Sequence, residues 1–149
     1  MNATKTVEPQ VVQLRTQLVS EGHTRHLLAE TDLMTLRIHC YAPGIGENAL
    51  HSHMKEDHIF LVLQGTAQFN TGRDGQKVLE ASKNQAVVLP AGCYYQFCNS
   101  GATPLVMARI GAGPDKHDMR LNPDGTPIPG RTDEQGAAKP VLIEDAFFE

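Results

Sequence analysis

Short stretches of alternating polar and apolar residues, separated by turn-forming residues, dominate the sequence between residues 23 and 110. β-Branched, aliphatic and aromatic side chains recur in segments such as HIFLVLQ, TAQFN, YYQFCN and PLVMARI, and the turn formers TGRDGQ, SKNQ, PAG and NSGATP separate them. A period of two residues is typical of half-buried β-strands. About eight such segments occur and almost none has a helical period, so the pattern predicts an all-β antiparallel sandwich or closed barrel.

The length of the chain predicts a single domain. A chain of 149 residues is long enough for one hydrophobic core and too short for two ordinary ones. Residues 1–22 are polar and irregular and are expected to form an N-terminal arm, residues 23–110 the barrel, and residues 111–149 a long tail rich in glycine and proline. The tail ends in VLIEDAFFE, whose apolar residues are expected to dock on the barrel or on a dimer partner.

Charge and hydrophobicity argue against two classes of partner. The net charge is −4 and the basic residues are scattered, whereas nucleic-acid binding usually needs clustered Lys and Arg. The N-terminal residues carry no apolar export signal, and no run of eighteen apolar residues occurs. We therefore expect no nucleic acid, no membrane and a cytoplasmic location, in which the three cysteines stay reduced.

The segment HSHMKEDHIFLVLQG, from His51 to Gly65, holds three histidines in eight residues. On an extended strand His51 and His53 project to the same face. If MKED forms a small turn and the strand resumes by His58, a third imidazole joins them inside the barrel. Neutral imidazole is a ligand for Zn, Cu, Fe and Ni, and three of them leave positions open for substrate. The spacing therefore predicts a metal site.

Two segments resemble the motifs of the cupin family. The first motif contains a glycine, HxH, a glutamate and a closing glycine, and this chain reads GIGENALHSHMKEDHIFLVLQG. The second contains a glycine, PxG, a histidine and an asparagine, and this chain reads NQAVVLPAGCYYQFCN, with Asn84 in place of the glycine. Asparagine tolerates the left-handed conformation, so that change is mild. The resemblance covers Leu33 to Ile110 and implies a cupin-type antiparallel β-barrel, also called a double-stranded β-helix or jelly roll, around one divalent metal ion per chain.

Other residues occupy two of the ligand positions of these motifs. Counting six residues back from Gly65 places His58 where the family has glutamate, with Asp57 as the alternative. Counting on from PAG places Tyr95 where the family has histidine. A tyrosine can ligate as tyrosinate if the metal lowers its pKa from near 10. The resemblance then implies the metal ligands His51, His53, His58 and Tyr95.

A substrate pocket is expected beside the ion. Arg109 interrupts an apolar strand and would bind a substrate carboxylate in two hydrogen bonds if it points inward. Arg37 alternates with aliphatic neighbours and is placed outside the barrel. An apolar wall is expected from residues that share faces with the candidate ligands, namely Phe60, Val62 and Phe97.

Three neutral imidazoles leave the full charge on a divalent ion, which favours anionic, bidentate oxygen ligands. Cupin-like three-histidine iron sites are associated with dioxygenases. The resemblance thus implies a metal-dependent dioxygenase for a small oxygenated metabolite that is enolisable or acidic, with Fe(II) favoured over Mn, Ni, Zn or Cu. Two alternatives stay open: a non-catalytic cupin that binds a small molecule, and a lyase or isomerase with protonated Tyr95 as catalytic acid or base. Chains with one barrel of this kind commonly dimerise by pairing sheet edges, so a homodimer is expected.

Overall fold

The computed structural model describes residues 8–114, 120–128 and 139–149, and the regular secondary structure of these ranges consists of β-strands. The remaining parts of the expected arm and tail lie outside the described residues. The strands are β1 Thr16–Glu21, β2 His23–Glu30, β3 Met34–Tyr41, β4 Gly46–His53, β5 Asp57–Gln64, β6 Thr66–Thr71, β7 Lys77–Ser82, β8 Ala86–Leu89, β9 Tyr94–Asn99, β10 Leu105–Ala112, β11 Arg120–Leu121 and β12 Val141–Phe148.

Two five-stranded sheets form the body of the molecule. The first has the order β2-β3-β10-β5-β8, and the second has the order β11-β4-β9-β6-β7. Neighbouring strands in both sheets are antiparallel. The predicted all-β antiparallel fold is confirmed. Within the described residues, no helix has the length and hydrophobicity needed to cross a membrane, and the cytoplasmic location stays a prediction.

Side-chain alternation fills the space between the two sheets. On β5, His58, Phe60 and Val62 are buried, and the residues between them are half-buried. Inward-facing residues of the other strands join them in one hydrophobic core. This core consists of Tyr41, Phe60, Val62, Ala67, Phe69, Ala81, Val87, Leu89, Tyr95, Phe97, Leu105 and Met107.

The turns and one buried amide determine how the strands connect. Asn84, between β7 and β8, has a φ of 71°, so the expected left-handed asparagine is confirmed. Asn99, at the end of β9, donates its side-chain amide to Tyr41 O at 3.0 Å and to Thr103 O at 2.8 Å. Its side-chain oxygen accepts a hydrogen bond from Gly101 N at 2.9 Å. These bonds hold the β9–β10 turn against the end of β3.

A two-stranded ribbon, β1 with β12, covers the outer face of the first sheet. The ribbon is antiparallel, and Gln17 Nε2 donates to Ile143 O at 3.0 Å. Val19 and Phe148 of the ribbon pack with Ile38 and Cys40 of β3. The expected irregular arm therefore includes a strand from Thr16, and the end of the tail lies on its own chain.

Because the ribbon covers its outer face, β3 is buried on both sides. Ile38 and Cys40 face the ribbon, whereas Tyr41 belongs to the core between the sheets. Arg37 has the same parity as Tyr41 and is the direct cross-strand partner of Arg109. Arg37 thus faces the barrel interior, and its expected position outside the barrel is wrong. The apolar neighbours of Arg37 face the outer side of the sheet. The alternating pattern alone does not show whether an apolar face meets the barrel core or the ribbon.

Candidate metal centre

The three predicted histidines meet at one end of the barrel. His51 and His53 lie at the end of β4, and His58 is the second residue of β5. All three side chains are buried. The ring centroids of His51 and His53 are 5.2 Å apart, and those of His53 and His58 are 4.4 Å apart. The short turn 54–56 brings the two strands together, as the spacing predicts.

A carboxylate that the sequence analysis missed joins the histidines. Glu56 is 3% exposed, and its Oε1 atom lies 2.9 Å from His58 Nε2. Potential ligand atoms of His53, Glu56 and His58 all lie within 4.8 Å of one another. The alternative carboxylate, Asp57, is exposed and accepts a hydrogen bond from Ala91 N at 2.7 Å. The acidic residue of the cluster is therefore Glu56.

His58 is held on both ring nitrogens. Arg109 Nη2 lies 2.8 Å from Nε2, and the Tyr95 hydroxyl lies 2.8 Å from Nδ1. A guanidinium only donates, so Nε2 accepts and Nδ1–H donates to the tyrosine oxygen. The carboxylate of Glu56 faces the same electron-rich Nε2. His58 Nε2 and Glu56 Oε1 repel each other at this distance unless a positive charge, as a proton or a metal ion, stabilises them. The Arg109 guanidinium supplies part of that positive charge.

Tyr95 is a neutral phenol in this environment. Burial raises the pKa of Tyr95 well above its ordinary value, and the negative charge of Glu47 raises it further, whereas Arg109 lowers it. The hydroxyl contacts the ring nitrogen of His58 that points away from Glu56. The tyrosine thus supports a histidine of the cluster from behind, and its role as a direct metal ligand stays a prediction.

His51 is oriented by the backbone. Its Nδ1 lies 2.7 Å from Ala49 O, and a carbonyl only accepts, so Nδ1 carries a proton. In the neutral ring, Nε2 then keeps its lone pair, and it lies 3.6 Å from Glu47 Oε1. Arg120 Nη1 donates to the same carboxylate oxygen at 3.3 Å. Arg120 was not foreseen, because it reaches the site through the pairing of β11 with β4. Glu47 was also missed, although it lies on β4 at an even spacing from His51.

The four predicted pocket residues all face the barrel interior. The Phe60 ring lies 5.1 Å from the Phe97 ring and 6.1 Å from the Tyr95 ring. Val62 lies two residues farther along β5, in the same core. Arg109 is 8% exposed and points toward His58 and Glu56, with 3.8 Å between its Nη2 and Glu56 Oε1. The site therefore has an apolar floor and a charged wall.

Comparison with known proteins agrees with this architecture. The family described as the cupin domain matches residues 37–111. A conserved protein of unknown function from Streptococcus pyogenes is 18% identical, with 76% of this chain and 96% of that chain covered and a TM-score of 0.59. An uncharacterised protein with a double-stranded β-helix domain from Klebsiella pneumoniae is 20% identical, with 64% and 80% covered and a TM-score of 0.57. A cupin superfamily protein from Desulfitobacterium hafniense is 18% identical, with 60% and 76% covered and a TM-score of 0.52.

No curated protein matches the chain. The match over half of the chain shows that this protein belongs to the cupin family.

Proposed function

We propose that this cupin binds one divalent metal ion per chain and is a dioxygenase for a small oxygenated metabolite. The observation that carries the proposal is the buried group formed by His53, Glu56 and His58. Two ligands that bind an ion at about 2.0–2.1 Å and at right angles lie about 2.9 Å apart. His58 Nε2 and Glu56 Oε1 are separated by 2.9 Å. The donor types and this spacing thus fit a metal ion, which would replace the Arg109 Nη2 atom that lies 2.8 Å from the same nitrogen.

The donor types favour iron. Two histidines and one carboxylate with open positions are typical of non-haem Fe(II) oxygenases. Glu56 also changes the expected charge, because the carboxylate cancels one unit of the ion's charge where three imidazoles would cancel none. His51 is the additional ligand that we propose, since its Nε2 keeps a lone pair beside His53. When bound, such an ion supplies Lewis acidity toward substrate oxygens and, as iron, the activation of O2.

The surrounding side chains supply binding and orientation. Phe60 and Phe97 keep the floor of the site apolar. Arg109 offers a planar pair of donors to an acidic substrate. Tyr95 holds the His58 ring by accepting a hydrogen bond from its Nδ1–H, which is the kind of outer contact that orients metal-ligating histidines. These roles belong to residues that the barrel interior already brings together.

A second candidate is a metal-dependent lyase or isomerase with Tyr95 as catalytic acid. The observation in its favour is the buried phenol at the edge of the cluster, whose hydroxyl lies 2.8 Å from His58 Nδ1. Oxygen consumption separates the two reactions. A dioxygenase consumes O2 with its substrate, whereas the second candidate forms product without it. Tight binding of a small molecule without any product would support a non-catalytic cupin instead.

Elemental analysis of the untagged protein tests the metal. We expect one divalent ion per chain in the natural sequence and loss of that ion in Glu56→Gln and His53→Ala. Asp57→Asn is the matched control, because Asp57 points to the surface, and it is expected to keep the ion. Natural protein that takes up no divalent ion, or a Glu56→Gln variant with unchanged affinity, contradicts the proposal. O2 uptake with diketones, hydroxy acids and catechols then tests the reaction.

We also propose that the protein is a homodimer that pairs its sheet edges. The edge strands β7 and β8 expose apolar side chains: Val78 is 53% exposed and Val88 is 63% exposed. Unpaired edges with apolar side chains promote association. Light scattering after size-exclusion chromatography is expected to give twice the chain mass, and a monomer at all concentrations would contradict the dimer.

A further inference from the structure

The buried Arg109 side chain reaches two residues of the metal-binding group. Its Nη2 atom lies 2.8 Å from His58 Nε2 and 3.8 Å from Glu56 Oε1. A guanidinium only donates hydrogen bonds, so it approaches His58 along the lone pair of Nε2. An ion at this group would bind the same lone pair.

His58 can offer that lone pair to only one partner at a time. A neutral imidazole has one donor nitrogen and one acceptor nitrogen. The donor is Nδ1, which lies 2.8 Å from the Tyr95 hydroxyl, so Nε2 is the acceptor. An N–H group and a metal ion cannot both occupy it. Binding of an ion at His58 therefore requires that the Arg109 contact breaks.

The position of Arg109 on β10 allows the guanidinium to withdraw. The Cα partner of Arg109 on β5 is Phe60, whereas the partner of His58 is Gly111, the next residue on the same face of β10. Two residues of a strand span about 6.7 Å, so the arginine side chain extends along β10 to reach His58. Rotation about the bonds of its flexible stem removes the guanidinium from His58 while β10 keeps its pairing.

The guanidinium also contributes charge that the group needs in the absence of an ion. Glu56 is a buried carboxylate, and its Oε1 lies 2.9 Å from the lone-pair nitrogen of His58. A buried charge is costly unless an opposite charge compensates it. A divalent ion would take over this compensation, and it would repel a guanidinium that stayed beside it. The arginine contact and the ion are thus two alternative ways to stabilise the same atoms.

We propose that Arg109 is a tethered cation that stabilises the metal-binding group without an ion and competes with the ion for His58 Nε2. The natural protein then binds the ion more weakly than its ligands alone would allow. Its metal-free barrel is more stable than it would be without the guanidinium. This role deepens the proposed function and rests on it, because it needs an ion that binds at His58.

Zn²⁺ affinity and metal-free stability of Arg109→Met test the competition. Methionine keeps an unbranched side chain and removes the charged donor. We expect the variant to bind Zn²⁺ tighter by about tenfold or more, since a hydrogen bond from a charged donor commonly contributes that much. We also expect a lower urea midpoint for the metal-free variant, because Glu56 loses a compensating charge. Competition with a chromophoric chelator measures the affinity in the full-length protein.

Two further variants control the comparison. Arg73→Met removes the same charge from an exposed arginine on the β6–β7 turn and should keep the natural affinity and stability. Arg109→Lys keeps a positive charge on a shorter stem, so its affinity should lie between those of the natural protein and Arg109→Met. The lysine variant decides the question if Arg109→Met does not fold without metal.

Three results would overturn the competition. They are a folded Arg109→Met variant that binds Zn²⁺ no tighter than the natural protein, tighter binding with unchanged metal-free stability, and an Arg109→Lys variant that binds no tighter than the natural protein. In each case a natural protein that binds Zn²⁺ leaves the proposed metal site standing. If neither the natural protein nor Arg109→Met takes up Zn²⁺, the metal site itself is refuted and the competition falls with it.

Discussion

The contact between Tyr95 and His58 gives the sharpest prediction about the metal centre. In the change Tyr95→Phe the ring stays and only the hydroxyl is lost. Tyr95 is 2% exposed, so water does not readily replace that hydroxyl as the partner of His58 Nδ1. The cost of the change depends on whether Nδ1 must carry a proton. With a metal ion on Nε2 it must. Without an ion the ring can instead carry its proton on Nε2 and donate to Glu56, which lies 2.9 Å away, in place of the contact that Nε2 accepts from Arg109.

The difference between these two states sets the magnitude. A buried donor without an acceptor costs about 1–3 kcal/mol. The metal-bound protein bears this cost in full and the metal-free protein largely avoids it, so the cost appears as lost metal affinity. Outer contacts of metal-ligating histidines are commonly worth about 10- to 100-fold in affinity. We therefore expect Tyr95→Phe to weaken metal binding by about 10- to 100-fold, with a smaller effect on the stability of the metal-free protein.

Competition with a chromophoric chelator measures the affinity, and urea unfolding of the metal-free protein measures the stability. Tyr94→Phe is the matched control, because Tyr94 is half-buried, lies on the opposite face of β9 and lies under the guanidinium of Arg73. An unchanged affinity in Tyr95→Phe would refute the orienting role. Complete loss of metal would refute it in another way, since Tyr95 would then be a ligand itself.

Two further predictions concern neighbouring parts of the barrel. A Cβ atom at Gly111 would collide with Glu56 Oε1, so Gly111→Ala should displace the carboxylate and weaken metal binding. The control is Gly101→Ala, whose Cβ would make only ordinary contacts. Equal metal affinities of the two variants would contradict the reasoning. Asn99→Ala removes three hydrogen bonds around the β9–β10 turn and should lower the free energy of unfolding by about 3 kcal/mol. Urea titration measures this loss. A loss well below about 1 kcal/mol would mean that water replaces the amide.

Eight of the ten strands in the two sheets, all except β4 and β11, could be predicted from the sequence because each is bounded by turn formers. The eight segments counted between residues 23 and 110 correspond to β2, β3 and β5–β10. The ribbon was not predicted as a structure. β1 and β12 lie at opposite ends of the chain, and neither has a turn that would pair it locally. Their pairing depends on the outer face of the first sheet, which no local pattern describes.

The site was predicted in part for a similar reason. The two-residue spacing correctly placed His51 and His53 on one face, and the same rule applied to Glu56 and His58 would have found the carboxylate. Counting back from Gly65 hid it, because that count assumes six residues between the carboxylate and the glycine, whereas eight residues separate Glu56 from Gly65. Arg37 was misplaced because its aliphatic neighbours indicated a buried face. In a sheet covered on both sides, the apolar face can point away from the barrel.

The β1–β12 ribbon has a consequence for the order in which the chain folds. The ribbon joins residues more than a hundred positions apart, as in the hydrogen bond between Gln17 and Ile143, with a separation of 126 residues. Closing so long a loop is slow and comes late, because local hairpins form first. During synthesis on the ribosome, β1 therefore has no strand partner, and the cluster of Val19, Ile38 and Cys40 lacks the contact of Phe148, until β12 has emerged. Nascent chains halted before Val141 are expected to be the form most prone to aggregate and most dependent on chaperones.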